Sequence, residues 1–323
     1  MKVLITGANG FIGHYLVQSA LKKDYTVIAT GRGQCRLPFS DPDFIYEEMD
    51  FTDPYSIDIV FDKHKPDVVL HAGAMGKPDE CEQNQMKAYM INVEGTVHLL
   101  INAAEFKSFF IFISTDFIFD GETGIYKEDD QRQPVNYYGR TKVEAEDAVM
   151  EYEYEWSIVR TVLVYGKPQT GRDNLLTVVK NKLEKEESYN VFNDQVRTPT
   201  YVEDLAEGII SLIDKKAKGI FHISGEEVLT PYEMAIQTAE FFNLDKSLIK
   251  KVTAAEMSQP ATRPLKTGFK IDKAKKVLGY RPTPFSEGLK KNFYLSPRFI
   301  IIPNFINPVL PFVSFISKYG FAL

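Results

Sequence analysis

The sequence predicts an α/β fold: a doubly wound parallel sheet with a smaller C-terminal lobe interleaved with the end of that sheet. Three observations predict it. Short apolar runs alternate with helical patterns through the first half, as in parallel sheets covered on both faces. A glycine-rich turn joins the first run to the first helix. After Gly166 the rhythm changes, with no internal repeat and no low-complexity linker. The expected division is residues 1–165 for the sheet domain and 166–323 for the lobe and an apolar tail.

Lys2–Thr6 reads as a buried strand, followed by a helix from about Phe11 to Lys23. Tyr25–Thr30 is the second strand, and a weaker third lies near Phe44–Glu47. Pro54 opens a helix running to about His64. DVVLH at Asp67–His71 is the fourth strand, and the amphipathic stretch Glu82–Phe106 predicts one long helix. FFIFIS at Phe109–Ser114 is the fifth, followed by a loop rich in Asp and Gly. Tyr137 to about Tyr152 is helical, and Trp156–Thr161 is the sixth strand. Right-handed crossovers between such units give a doubly wound sheet. Beyond Gly166, helical stretches near Asn174–Lys185 and Thr230–Phe242 surround short strands near Tyr189–Phe192 and Gly219–Ile223.

The 323 residues are 44% hydrophobic and 25% charged, an ordinary balance for a globular enzyme. A net charge of −6 argues against nucleic acid held on a broad basic face. The two cysteines, Cys35 and Cys81, form no CxxC or Cys/His ligand spacing. That points to a reducing compartment and to no metal site. Met1 leads straight into the first strand without a signal-peptide pattern, so a cytoplasmic location is expected. The stretch Phe299–Ser317 carries no charge, and its length alone permits a membrane span. Pro303, Pro308 and Pro311 interrupt any helical ladder there, which favours packing against the protein or a subunit partner. Contact with a membrane surface is the second reading and a true span the third.

Gly7-Ala8-Asn9-Gly10-Phe11-Ile12-Gly13 lies between the first strand and the first helix. Gly7 permits the tight turn, Gly10 lets backbone approach a pyrophosphate, and Gly13 lets helix and strand pack closely. The helix N-terminus offers unpaired N–H groups and partial positive charge to phosphates. In its strand–turn–helix context the pattern predicts dinucleotide binding and a Rossmann fold. Where an NAD enzyme usually places an acid, after the second strand, this chain has Thr30-Gly31-Arg32-Gly33. Arg32 can pair with a 2′-phosphate, which favours NADP over NAD.

Tyr138 and Lys142 stand four residues apart at the start of a helix, on the same face. A carbonyl that accepts hydride needs a proton donor, and a neighbouring ammonium stabilises phenolate. Bringing a phenol from about 10 to about 7 corresponds to roughly 4 kcal/mol. Ser114-Thr115-Asp116 ends the fifth strand on the edge where open α/β sheets bind ligands, and Thr115 can donate to a substrate oxygen.

Together GANGFIG, HAGAMGKPDECE, Asn92 in INVEGT, STDFIFDG, YYGRTK and RTPTYVEDLA resemble the extended short-chain dehydrogenase/reductases, and within them the dTDP-4-dehydrorhamnose reductase branch. The resemblance runs in order from Met1 to about Ala206 and more loosely to about Gly288. It implies Thr115, Tyr138 and Lys142 as the catalytic triad. It also implies cofactor contacts from Phe11, Ile12, Asp50, Phe51, Ala72 and Gly73, with Asn92 supporting the site. The VEDLA stretch reads as structural. Gln195 or Arg197 ahead of it, with Asp116 and Phe117, are the expected substrate-side residues. Two departures from the branch stand out: Phe117 replaces the usual Tyr after STD, and Leu163 replaces the usual Trp of RTxW. Both remove hydrogen-bonding groups from the pocket. Phe117 also cannot act as the acid that the related dehydratases place there.

The function implied is NADPH-dependent reduction of a keto-sugar, most plainly one linked to a nucleotide. A nucleotide-sugar epimerase and a non-catalytic NADP-binding regulatory subunit, like that of methionine adenosyltransferase, are the alternatives. A homodimer is expected, as is common for this fold.

Overall fold

In the computed structural model, residues 1–169 and 173–294 are described. The expectation for Phe299–Ser317 lies outside them. Seven parallel strands form the central sheet. In chain order they are β1 (Lys2–Thr6), β2 (Thr26–Gly31), β3 (Phe44–Glu48), β4 (Val68–His71), β5 (Phe109–Thr115), β6 (Trp156–Thr161) and, after four short strands, β11 (Gly219–His222). Their spatial order is β11-β6-β5-β4-β1-β2-β3. The chain therefore winds outward from β1 to β3, returns to β4 and winds the other way. The switch point lies between β1 and β4, where such sheets open a ligand crevice.

Period-two packing explains why the central strands β1 and β5 are mostly apolar on both faces. Val3 and Ile5 face one core layer while Leu4 faces the other, and Phe109/Ile111 and Phe110/Phe112 divide in the same way. Helices α1 (Phe11–Leu21), α8 (Val202–Lys215) and α10 (Asp272–Leu278) cover the first face. Helices α2 (Pro54–His64), α5 (Gly95–Glu105) and α6 (Tyr137–Met150) cover the second.

The predicted single helix over Glu82–Phe106 is corrected. The chain folds it as α3 (Pro78–Gln83), α4 (Gln85–Tyr89), a π turn at Met90–Glu94 and α5. Pro78 starts the first piece in its first turn, and Asn84 breaks it at φ −132°, ψ 61°. The π turn carries buried Asn92, whose side chain bonds the backbone of Met75 and the Thr141 hydroxyl. An amphipathic pattern does not reveal such a widened turn, because the apolar stripe runs through it.

The second half contributes β7 (Val164–Tyr165), α7 (Leu175–Leu183), β8 (Tyr189–Phe192), β9 (Val196–Arg197) and β10 (Thr200–Tyr201), then α9 (Pro231–Phe242), β12 (Ile249–Val252), β13 (Lys266–Thr267) and α11 (Phe285–Tyr294). Asn174 and Thr230 begin α7 and α9 with capping boxes, with Thr177 and Glu233 respectively as the reciprocal partners. Strand β11 adds to the edge of the main sheet beside β6.

One buried ion pair fixes the site-bearing helix to the sheet. Arg160 on β6 donates to both carboxylate oxygens of Glu146 on α6, at 3.0 and 2.8 Å, and to the Glu128 carbonyl at 3.0 Å. Both residues are at most 1% exposed.

Candidate active site

The crevice at the switch point has two connected chambers sharing Gly7, Gly10, Ala72, Ala74 and Gly76. One, about 450 Å³, is lined by Arg32, Arg36, Asp50, Phe51 and Gly73. The other, about 390 Å³, is lined by Phe11, Ile12, Gly13, Thr115, Asp116, Phe117, Tyr138, Lys142 and Leu163.

Close backbone approach dictates the glycines. Gly7 sits at φ +66°, and a Cβ there would lie 2.8 Å from the Gly73 backbone, so the ends of β1 and β4 nearly touch. A Cβ on Gly13 would lie 2.2 Å from the Gly7 carbonyl oxygen. A Cβ on Gly10, the residue capping α1, would meet only that same oxygen, at 3.0 Å. Gly73 and Gly95 both leave room for the Phe51 ring, which a Cβ on either would approach within 2.4 or 2.7 Å. The Asp50 carboxylate accepts from the backbone and hydroxyl of Thr52, at 3.0 and 2.8 Å.

At the far end of the first chamber stand two exposed arginines, of which sequence reasoning identified only Arg32. Arg36 is brought in by its loop: its backbone N–H donates to Asn9 Oδ1 at 2.9 Å. Asn9 donates to Gln34 O and to the Tyr46 hydroxyl, and that hydroxyl donates to the Gly33 carbonyl at 2.7 Å. Nothing local in the sequence marks Arg36, because its place depends on this bracing from β3 and the glycine turn.

In the second chamber Thr115 and Tyr138 stand together; the Thr115 hydroxyl donates to the Asp116 carboxylate at 3.1 Å and accepts from Phe117 N at 3.2 Å. Asn136 caps α6 by accepting from Gly139 N at 2.8 Å. Gly139 lets the helix start abut the Phe117 carbonyl, since a Cβ would lie 2.1 Å from it. The Phe117 ring stands edge-on to Tyr138 at 5.9 Å. Lys142 donates from Nζ to the Ile113 carbonyl at 2.8 Å and lies 3.8 Å above the Phe112 ring.

The electrostatics differ from the sequence expectation of a phenol lowered by the amine. Burial pushes the Tyr138 phenol well above its ordinary value, with Thr115 opposing. Burial also lowers the Lys142 amine to about 7, with Glu146 opposing. Helical spacing gives proximity, but burial decides the direction of both shifts, and the amine is committed to the Ile113 carbonyl.

Three predicted residues stand behind the cleft surface. Asn92 supports it through Met75 and Thr141. Buried Arg197 spends its guanidinium on the carbonyls of Val196, Leu265 and Pro264 and on Gln195 Oε1. It also lies 3.7 Å from the Asp116 carboxylate. Burial raises the Asp116 carboxyl, while Arg197 and Thr267 hold it down. Two further lining residues have notable surroundings, and Leu163 is the one the sequence already placed at the pocket. Ser114 has a buried hydroxyl without a protein partner, and Leu163 lines the chamber at φ +36°, a backbone conformation unusual for a branched side chain.

A family model described as "RmlD substrate binding domain" matches residues 1–295. The chain is 31% identical over 300 residues to "Methionine adenosyltransferase 2 subunit beta" of Bos taurus, covering 91% of this chain and 87% of that one. It is 30% identical to "Spore coat polysaccharide biosynthesis protein SpsK" of Bacillus subtilis, covering 92% and 98% respectively. Among solved structures, the dTDP-4-dehydrorhamnose reductase of Bacillus anthracis in complex with NADP superposes with a TM-score of 0.80 at 27% identity. That match covers 91% of this chain and 98% of the other.

Proposed function

The chain belongs to the family described as RmlD substrate binding domain, and from that premise we propose that it is an NADPH-dependent reductase of a nucleotide-linked 4-keto-sugar. One observation carries this reading. Thr115, Tyr138 and Lys142 line one chamber together, and that chamber shares the glycine turn with the chamber that holds the paired arginines. In this reading residues 1–165 hold the dinucleotide and the part from residue 166 onward shapes the sugar-nucleotide side.

The residues suit a dinucleotide. Gly10 presents no side chain at the start of α1, and Arg32 and Arg36 stand at the far end. Amides at the α1 N-terminus take the pyrophosphate and the arginines take the 2′-phosphate. When bound, NADPH supplies the hydride. Tyr138 delivers a proton to the carbonyl oxygen while Thr115 donates to that oxygen and orients it. Lys142 holds the nicotinamide-side ribose hydroxyls. Phe117 and Leu163 give the sugar an apolar wall.

Two expectations follow from the charges. Replacing Arg32 and Arg36 together by alanine should weaken NADPH on the order of 100-fold and leave NADH within about threefold, because two charge-assisted contacts are removed. Fluorescence titration of both cofactors measures this, and equal weakening of both would count against a 2′-phosphate site. Because Lys142 gives up its proton near 7, kcat/KM for reduction should fall as pH rises through that value, while Tyr138 remains protonated. A profile flat from pH 6 to 9 would remove the ammonium from the mechanism.

The direct test is NADPH oxidation with a panel of nucleotide-linked 4-keto-sugars. Stoichiometric consumption supports reduction, whereas sugar interconversion without net consumption would indicate an epimerase. The relatives named as a subunit of methionine adenosyltransferase favour a second reading, a non-catalytic NADP-binding subunit. Cofactor binding without turnover of any keto-sugar would favour it.

A further inference from the structure

One short segment of the C-terminal half, residues 261–269, reaches Asp79, Arg197, Asp116 and the cap of the Tyr138-bearing helix. Its Ala261 N–H donates to Asp79 Oδ1 at 3.1 Å. The Arg263 guanidinium takes both oxygens of the same carboxylate, each at 2.7 Å. The Thr262 carbonyl accepts from Asn136, the cap of α6, at 2.7 Å. The Pro264 and Leu265 carbonyls accept from Arg197 at 2.8 and 3.0 Å, and Thr267 donates to Asp116 beside Thr115. Gly268 accepts from Tyr126 N at 2.8 Å.

We propose that the Asp79–Arg263 pair is a latch. It joins the helix after β4 to this segment, and so positions the wall of the second chamber against the start of the Tyr138-bearing helix. Asp79 follows Pro78, which lines that chamber, and it precedes Glu82, which accepts from Tyr137 N at 2.9 Å. One six-residue helix is thus gripped on one side by the far end of the chain and on the other by α6. Of the tethers that segment 261–269 makes, this pair is a forked, doubly charge-assisted contact, stronger than the neutral Asn136–Thr262 bond beside it. It is also partly exposed, with side-chain exposures of 36% for Asp79 and 13% for Arg263. A partly exposed contact can open without unfolding the core, which the buried Arg197 contacts cannot do. Asp79 and Arg263 act through the residues they hold and are positioning residues.

Cys81 gives a readout that needs no turnover. It lies on the same helix, buried, with its thiol on the Met75 carbonyl at 3.1 Å, whereas Cys35 is exposed. In a Cys35→Ser background, Arg263→Gln should raise the rate of Cys81 modification by a thiol reagent about tenfold without denaturant. The unfolding midpoint should stay within a few degrees. KM for the keto-sugar should rise about tenfold and kcat should change less than threefold. The exchanged pair, Asp79→Arg with Arg263→Asp, should restore the thiol rate and KM most of the way. A Cys81 rate unchanged in Arg263→Gln would overturn the latch, as would an exchanged pair no better than the single variants. The KM prediction rests on the reductase reading. Wild type that binds NADPH but turns over no keto-sugar would sink that reading, and the thiol rate would then decide the latch alone.

Discussion

Replacing Tyr138 by phenylalanine is expected to lower kcat for keto-sugar reduction by about 10³-fold, within the range that a positioned proton donor contributes. The ring remains, so its edge-on contact with Phe117 and the start of α6 should persist. What is lost is the hydroxyl alone, from the chamber that Tyr138 lines beside Thr115. NADPH affinity should therefore stay within about threefold, and thermal stability should change little. The measurement pairs a cofactor fluorescence titration with steady-state reduction. A fall in kcat of less than tenfold would mean that another group, or solvent, delivers the proton. The raised phenol sharpens this expectation. Across ordinary assay pH Tyr138 is the protonated acid, so reduction is the direction its ionisation state serves.

The second large effect is on stability. Glu146→Ala should destabilise the protein by about 3–5 kcal/mol, because it leaves the Arg160 guanidinium buried without its counter-charge. For a chain of this size that lowers the melting temperature by roughly 10 °C. Arg132, which also reaches Glu146 at 3.3 Å, is itself partly exposed and can turn to solvent, so it does not share the penalty. The double variant Glu146→Leu/Arg160→Met should recover much of the loss, since two apolar groups of similar volume leave no charge to desolvate. If Glu146→Ala melts within 2 °C of wild type, water or a rearranged partner reaches Arg160. If the double variant is no better than the single, the pair contributes more than mutual neutralisation. Because Glu146 lies one helical turn from Lys142 and raises its amine, the variant should also shift the pH profile of any reduction downward.

Features written into contiguous residues were legible in the sequence. The central strands of the doubly wound sheet are short apolar runs buried on both faces, so the runs lack alternation and stand out, whereas edge strand β3 reads weaker. Gly7, Gly10 and Gly13 are a local requirement of one turn. What the sequence hid depends on contacts between distant segments. Arg36 reaches the cleft because Asn9 and Tyr46 brace its loop. Segment 261–269 reaches Asp79, Asn136 and Asp116 from far along the chain, with no periodicity to announce it. The π turn at Asn92 was hidden because it keeps the apolar stripe while shifting its register. Tyr138 and Lys142 show the same limit on the chemistry of a site. Their spacing is local and readable, but the direction of each ionisation shift belongs to the tertiary enclosure.

Strand β11 has a consequence for how the protein is born. During synthesis β6 leaves the ribosome well before its outer neighbour, because α7, α8 and four short strands intervene. Until Gly219–His222 emerge, the row of amides and carbonyls along Ser157–Arg160 has no mate, and an apolar flank is open to any passing extended peptide. Nascent chains of this protein thus carry a sticky border from the completion of β6 until β11 is made. A holdase that shields extended apolar segments would be a natural companion during that interval.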